Sequence, residues 1–167
     1  SVATINECFI GCEKLVKMTV PSYDVVYDSL GFQYNVETLV LTNDKDIGFY
    51  GFINFPKLKY VTLPNNLETI EGYAFYNCSS LTGVTLTSVE SIGNCAFYDC
   101  VSLSSVNTTS ILTKVEPYAF YNCSALTEIN LEGLKQVRYY AFYNCSSLVK
   151  APVSDNLTEI QTYAFAN

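Results

Sequence analysis

Apolar residues recur along this chain on two nested scales. The longer one is set by a run that returns almost unchanged: Tyr73-Ala-Phe-Tyr-Asn-Cys-Ser-Ser-Leu81, Cys95-Ala-Phe-Tyr-Asp-Cys-Val-Ser-Leu103, Tyr118-Ala-Phe-Tyr-Asn-Cys-Ser-Ala-Leu126 and Tyr140-Ala-Phe-Tyr-Asn-Cys-Ser-Ser-Leu148, with a last partial copy at Tyr163-Ala-Phe165. With the phenylalanine as marker, Phe52, Phe75, Phe97, Phe120, Phe142 and Phe165 lie 23, 22, 23, 22 and 23 residues apart. A fixed period in this range is the mark of a stacked-repeat architecture. Extended backwards, the frame puts Leu30 in the marker slot of a degenerate copy that has Gln33 in the cysteine slot, and Phe9 in the slot of a first copy.

The shorter scale changes within each unit, and the change predicts the elements. Leu58, Val61 and Leu63 end in alternation, as do Leu81, Val84 and Leu86, and Leu126, Ile129 and Leu131, which is the two-residue period of a strand. One short strand is therefore expected per unit. Ile70, Ala74, Phe75 and Cys78 fall at the spacing of one side of a short helix or 3₁₀ segment, and Ile92, Ala96, Phe97 and Cys100 repeat it. Pro21 and Pro64, which have no N–H to extend a ladder, are expected to mark the turn out of two strands.

A unit of this length cannot bury its own apolar stripe. Stacking units about 4.8 Å apart aligns the strands in a parallel sheet over a shared core. The expected fold is an α/β solenoid of about seven repeats filling residues 1–167 as a single domain, with strands on one face and short helical turns on the opposite, convex side. Both termini fall inside the array, so the chain is expected to be a piece of a longer one.

The frame L-x-x-V-x-L followed by L/V-x-x-I/V-x-x-x-A-F-x-x-C-x-x-L resembles the BspA-type leucine-rich repeat over essentially the whole chain. The commonest leucine-rich repeats carry Asn or Cys three residues after the last strand leucine; Val89 and Leu134 hold that slot here, and Leu67 stands one place beyond it, after Asn66. The resemblance implies a right-handed curved solenoid with its strands on the concave face. It also implies a surface or extracellular protein of oral or gut anaerobes or mucosal protist parasites, used for adhesion to host or neighbouring-cell proteins.

Composition narrows the chemistry. The chain has no histidine, so the commonest general base and transition-metal ligand is missing, and its acidic residues stand mostly singly on different units. No phosphate loop or nucleophile elbow occurs, so no enzymatic activity, cofactor or metal is expected. Nine basic against sixteen acidic residues give a net charge of −7, which opposes a phosphate backbone, and no basic patch offsets it. Nucleic acid is therefore not an expected partner. No stretch approaches the roughly 18 apolar residues of a membrane span.

Four of the seven cysteines, Cys78, Cys100, Cys123 and Cys145, share one slot and should form a row of core thiols, since a row cannot converge on a metal and its parallel Cβ vectors disfavour disulfides. Cys8 and Cys95 stand outside that row. Tyr76, Tyr98, Tyr121 and Tyr143 define a second row, and Tyr73, Tyr118, Tyr140 and Tyr163 a third, both read as framework stacking between coils. Asn77, Asn122, Asn144, Asn107 and Asn156 begin Asn-x-Ser/Thr sequences; the first three are by-products of the repeat, and all five are read as turn or polar-face residues.

Side chains that alternate away from the core must line the strand face, and there the sequence varies while the interior repeats. The candidate binding residues are Lys17, Thr38, Tyr60, Thr62, Thr85, Asn107, Glu128, Asn130, Glu132 and Lys150. Their hydroxyl, amide and carboxylate groups suit a protein or a glycan, with Tyr60 as the aromatic anchor. The leading expectation is a cell-surface adhesion module; the alternative is a passive spacer or stalk of a larger surface protein.

Overall fold

The structure, a computed structural model, describes residues 12, 14–22 and 34–167. The expectations attached to Phe9, Leu30, Gln33 and Cys8 lie outside the described residues. Each coil begins with a strand of the main sheet: β1 (Lys17–Val20), β2 (Thr38–Leu41), β4 (Tyr60–Thr62), β6 (Gly83–Thr85), β8 (Ser105–Asn107) and β10 (Glu128–Ile129), all parallel and neighbours in that order. The alternation does what it predicts: Met18, Val20, Leu39, Leu41, Val84, Val106 and Ile129 point inward and are buried.

Each coil then turns and lays down a second, two-residue strand. β3 (Asp46–Ile47), β5 (Thr69–Ile70), β7 (Ser91–Ile92) and β9 (Lys114–Val115) form a parallel four-stranded sheet, and β11 (Gln136–Val137) pairs with β12 (Glu159–Ile160). The expectation of one strand per unit is thus corrected to two. The second was hidden because one inward residue per coil, such as Ile70 or Ile92, carries no period of its own.

The expected helical turns are also corrected. The segment around each marker phenylalanine is a series of tight turns, because its backbone groups are shared between coils. The N–H groups of Phe52, Phe75, Phe97, Phe120 and Phe142 donate to the carbonyls of Ala74, Ala96, Ala119, Ala141 and Ala164 of the next coil, at 2.7–2.8 Å. The intervening N–H groups stay local: Ala74 donates to Glu71, Tyr76 to Tyr73 and Cys78 to Phe75. An α-helix would need all of these for its own turns. Left-handed residues break it as well, since Tyr73 and Asn77 have φ of 60° and 58°, repeated at Cys95 and Asp99, Tyr118 and Asn122, and Tyr140 and Asn144. Asn and Asp tolerate that region; Tyr and Cys are held there by the stack.

The core is one continuous column. Marker rings stack from Phe52 through Phe75, Phe97, Phe120 and Phe142 to Phe165 with centroids 5.2–5.3 Å apart. These rings define about six turns, where about seven repeats were expected; the frames of Phe9 and Leu30 lie outside the described residues. Val89 and Leu134, in the slot that commoner repeats give to Asn or Cys, are buried apolar residues, as is Leu67 one place beyond that slot.

Polar groups run in parallel ladders along the column. The thiols of Cys78, Cys100, Cys123 and Cys145 donate to the carbonyls of Phe52, Phe75, Phe97 and Phe120, each at 3.2 Å. They are free thiols, as the row geometry predicts. Burial pushes the Cys78 and Cys145 thiols up to about 12 and drives Cys100 and Cys123 well above the usual range, with the neighbouring row thiols adding to the rise. Just before β6, β8 and β10, the hydroxyls of Thr82, Ser104 and Thr127 donate to the carbonyls of Lys59, Thr82 and Ser104 at 3.0–3.1 Å.

Candidate binding face

The main sheet gathers the candidate residues by register. Lys17 pairs with Thr38, Thr38 with Tyr60, Tyr60 with Gly83, Gly83 with Ser105, Ser105 with Glu128, and Glu128 with Lys150. One straight row across the six strands and the bridge at Lys150 therefore reads Lys, Thr, Tyr, Gly, Ser, Glu, Lys. The row beside it holds Thr19, Val40 and Thr62 in register, and further on Thr85 opposite Asn107. Of the predicted residues, Lys17, Tyr60, Thr62, Thr85, Asn107, Glu128, Glu132 and Lys150 are exposed, and Thr38 and Asn130 are half-buried.

Tyr60 is the most open ring of the face, 60% exposed. Its register partner Gly83 leaves its flank bare, and a Cβ there would meet the Ser105 hydroxyl at 2.6 Å. At the far end of the row, Lys150 lies 3.6 Å from Glu128. Both side chains are exposed, so this pair contributes little to stability, and its charges are available to a partner.

At this charged end lies a shallow recess of about 200 Å³ that joins Asn107, Glu128, Asn130 and Lys150, four of the predicted residues. Thr108 and Pro152 complete its rim and Val106 and Ile129 its floor. Pro152 lacks the N–H that would continue the ladder, so Lys150 and Val153 join the sheet only as isolated bridges to Glu128 and Leu131. Glu132 stands apart from the row, in the turn after β10. Asn130 binds it there, accepting from the Glu132 N–H at 2.8 Å.

The repeat-determined asparagines are committed to framework. The side-chain amides of Asn77, Asn122 and Asn144 donate to Asn54, Asp99 and Asn122 at 2.9, 2.7 and 2.6 Å. The nitrogen a glycan would modify is thus a ladder donor at these three positions. Asn107 and Asn156 are exposed.

Residues 45–167 match the family described as BspA type leucine rich repeat region, in six copies. The chain belongs to this family. This BspA-type repeat chain is also similar in structure to a leucine-rich-repeat protein of T. pallidum, at 26% identity and a TM-score of 0.70 over 87% of this chain and 66% of that one. A leucine-rich cell-surface protein of Faecalibacterium prausnitzii aligns at 27% identity and a TM-score of 0.71, over 78% of this chain and 39% of that protein. A leucine-rich-repeat protein of Eubacterium ventriosum shares the fold at 21% identity and a TM-score of 0.58, over 90% of this chain and 42% of the other. The BspA-type chain thus spans two thirds or less of these relatives. No curated protein matches it. Among the described residues, no helix is long and apolar enough to cross a membrane, and no three His, Cys, Asp or Glu residues cluster as metal ligands would.

Proposed function

We propose that this BspA-type repeat chain is a protein-interaction module of a cell-surface or extracellular protein, and that it binds through the main strand face. The carrying observation is the contrast between its two sides. Inside, the same phenylalanine, alanine and cysteine return coil after coil, whereas the in-register outer row changes chemistry at almost every step. A scaffold that fixes its interior and varies one exposed row presents a linear recognition surface.

Protein is favoured over glycan by the shape of that surface. A row of six strands and one bridge residue, at about 4.8 Å per step, offers a span of roughly 30 Å, with an exposed tyrosine within it and charged groups at its ends. Aromatic anchors beside a polar rim are typical of protein interfaces. The similarity to a surface protein of Faecalibacterium prausnitzii supports the location.

The test is adhesion of the labelled chain to host cells and to an array of extracellular-matrix proteins and glycans. Tyr60→Ala and Glu128→Lys should each weaken protein adhesion at least tenfold. Adhesion unchanged in both variants removes the strand-face reading and leaves a spacer. Capture by glycan spots alone would move the partner to carbohydrate.

A further inference from the structure

Every described turn places one residue at φ near 60° two positions before its marker phenylalanine. Tyr50, Tyr73, Tyr118, Tyr140 and Tyr163 occupy that place, and Cys95 alone interrupts them, with φ 55°. Wherever two tyrosines are adjacent their rings stack: Tyr50 on Tyr73 at 5.1 Å, Tyr118 on Tyr140 at 5.0 Å and Tyr140 on Tyr163 at 5.1 Å. At Cys95 a ring is missing. Tyr73 and Tyr118 are left two coil steps apart, roughly 10 Å, each with one face deprived of its ladder neighbour.

The backbone does not close the gap. In the next row, Tyr98 stacks on Tyr76 at 5.0 Å and on Tyr121 at 4.6 Å, so the coils keep their regular rise past Cys95. What remains is an open recess of about 440 Å³. Tyr73 and Tyr118 stand at its ends, Tyr76 and Tyr98 form its side, Cys95 and Asn94 lie in its floor, and Tyr139, edge-on to Tyr118, borders it.

We propose that this recess is a binding slot for one planar aromatic ring, carried either by a free small molecule or by a tyrosine-like side chain of a partner. A ring entering midway would lie about 5 Å from both walls, inside the preferred range for offset stacking. The floor is polar enough to seat a phenol. The Asn94 amide donates to the Cys95 sulfur at 3.4 Å, and the Tyr73 hydroxyl is bonded to the same thiol. An incoming ring replaces a weak thiol contact by stacking on two faces.

The slot lies on the turn side of the coil, away from the strand face, so its test is independent of the proposed adhesion surface. Titration with p-cresol, followed by proton NMR of the Tyr73, Tyr98 and Tyr118 rings, should give saturable shifts. 4-Methylcyclohexanol, of similar outline but not planar, should give none. Cys95→Tyr fills the slot with the residue that five other turns carry and should weaken p-cresol binding at least tenfold; Tyr118→Ala removes one wall and should do the same. Cys95→Ala leaves the slot open and should bind as the parent does, and Tyr60→Ala on the strand face should change nothing. The peptide Gly-Gly-Tyr-Gly-Gly binding more tightly than p-cresol assigns the slot to a partner side chain, and weaker binding assigns it to a free ring. Shifts linear in p-cresol, or equal affinity in the parent, Cys95→Tyr and Tyr118→Ala, would overturn the proposal.

Discussion

The four row cysteines show how one side chain can serve packing and hydrogen bonding together. A serine would bring a strongly hydrated hydroxyl into the column, and a valine would leave the phenylalanine carbonyl without this extra donor. The thiol is apolar enough to bury and still donates weakly. Burial raises its pKa, which fixes the sign of a pH effect. The folded thiols titrate above their unfolded value near 8.5, so their stabilising contribution is complete below that pH and is lost as pH rises towards 12. Urea midpoints should therefore fall between about pH 9 and 12. Cys78, fully buried with a pKa pushed up to about 12, contributes a slope of about 1.4 kcal/mol per pH unit, and Cys78→Ala should remove that share. A midpoint flat across this range would contradict the buried-thiol row. Iodoacetamide labelling at pH 8, mapped by mass spectrometry, should likewise reach Cys12 before any row cysteine, since Cys12 is half-buried and the row is not exposed.

At the scale of the element, the sequence disclosed whatever repeats with a period and concealed whatever depends on neighbouring coils. The main strands were legible because Val84, Val106 and Ile129 alternate with polar residues, and the marker register was legible because Phe75, Phe97 and Phe120 recur at one spacing. The second strand and the turns were not. Ile70, Ala74, Phe75 and Cys78 share one side at helical spacing, yet the Phe75 N–H goes to Ala96 of the next coil and Asn77 sits at positive φ. A within-coil pattern carries no record of where a backbone donor points. On the strand face, the outward residues were legible from alternation, but the recess at Asn107, Glu128 and Lys150 depends on Pro152 thinning the ladder, a long-range effect.

The tightness of these turns has its own consequence. A Cβ on Gly93 would come within 2.6 Å of the Glu71 carbonyl carbon and the Gly72 nitrogen. Backbone cannot yield as a flexible side chain does, so Gly93→Ala should cost about 1–3 kcal/mol as overpacking. Thermal melting monitored by circular dichroism checks it, and an unchanged melting temperature would mean the coils are looser than described. The same method applies to Cys95→Tyr. Restoring a ring between Tyr73 and Tyr118 adds two stacking contacts, each worth about 0.5–1.5 kcal/mol, so the melting temperature should rise.

For the whole molecule, stacking makes energetics one-dimensional: among the described residues, each strand packs against the strands of the coil before and the coil after. The phenylalanine column shows this directly. Phe97 stacks on Phe75 and Phe120 at 5.2 Å, and Phe142 on Phe120 and Phe165 at 5.3 and 5.2 Å, whereas Phe75 and Phe142 are separated by two intervening rings. Truncating any one of these buried rings to alanine should cost about 3–5 kcal/mol. Pairs distinguish the architecture from a closed globule. Phe97→Ala and Phe120→Ala enlarge one shared cavity, so their double-mutant cycle should show a coupling energy of about 0.5–3 kcal/mol. Phe75→Ala and Phe142→Ala, three coil steps or roughly 15 Å apart, should add to within about 0.5 kcal/mol. Urea unfolding of the four single and two double variants measures both cycles. Strong coupling between the distant pair would require a path other than the column, and a stack of coils has none.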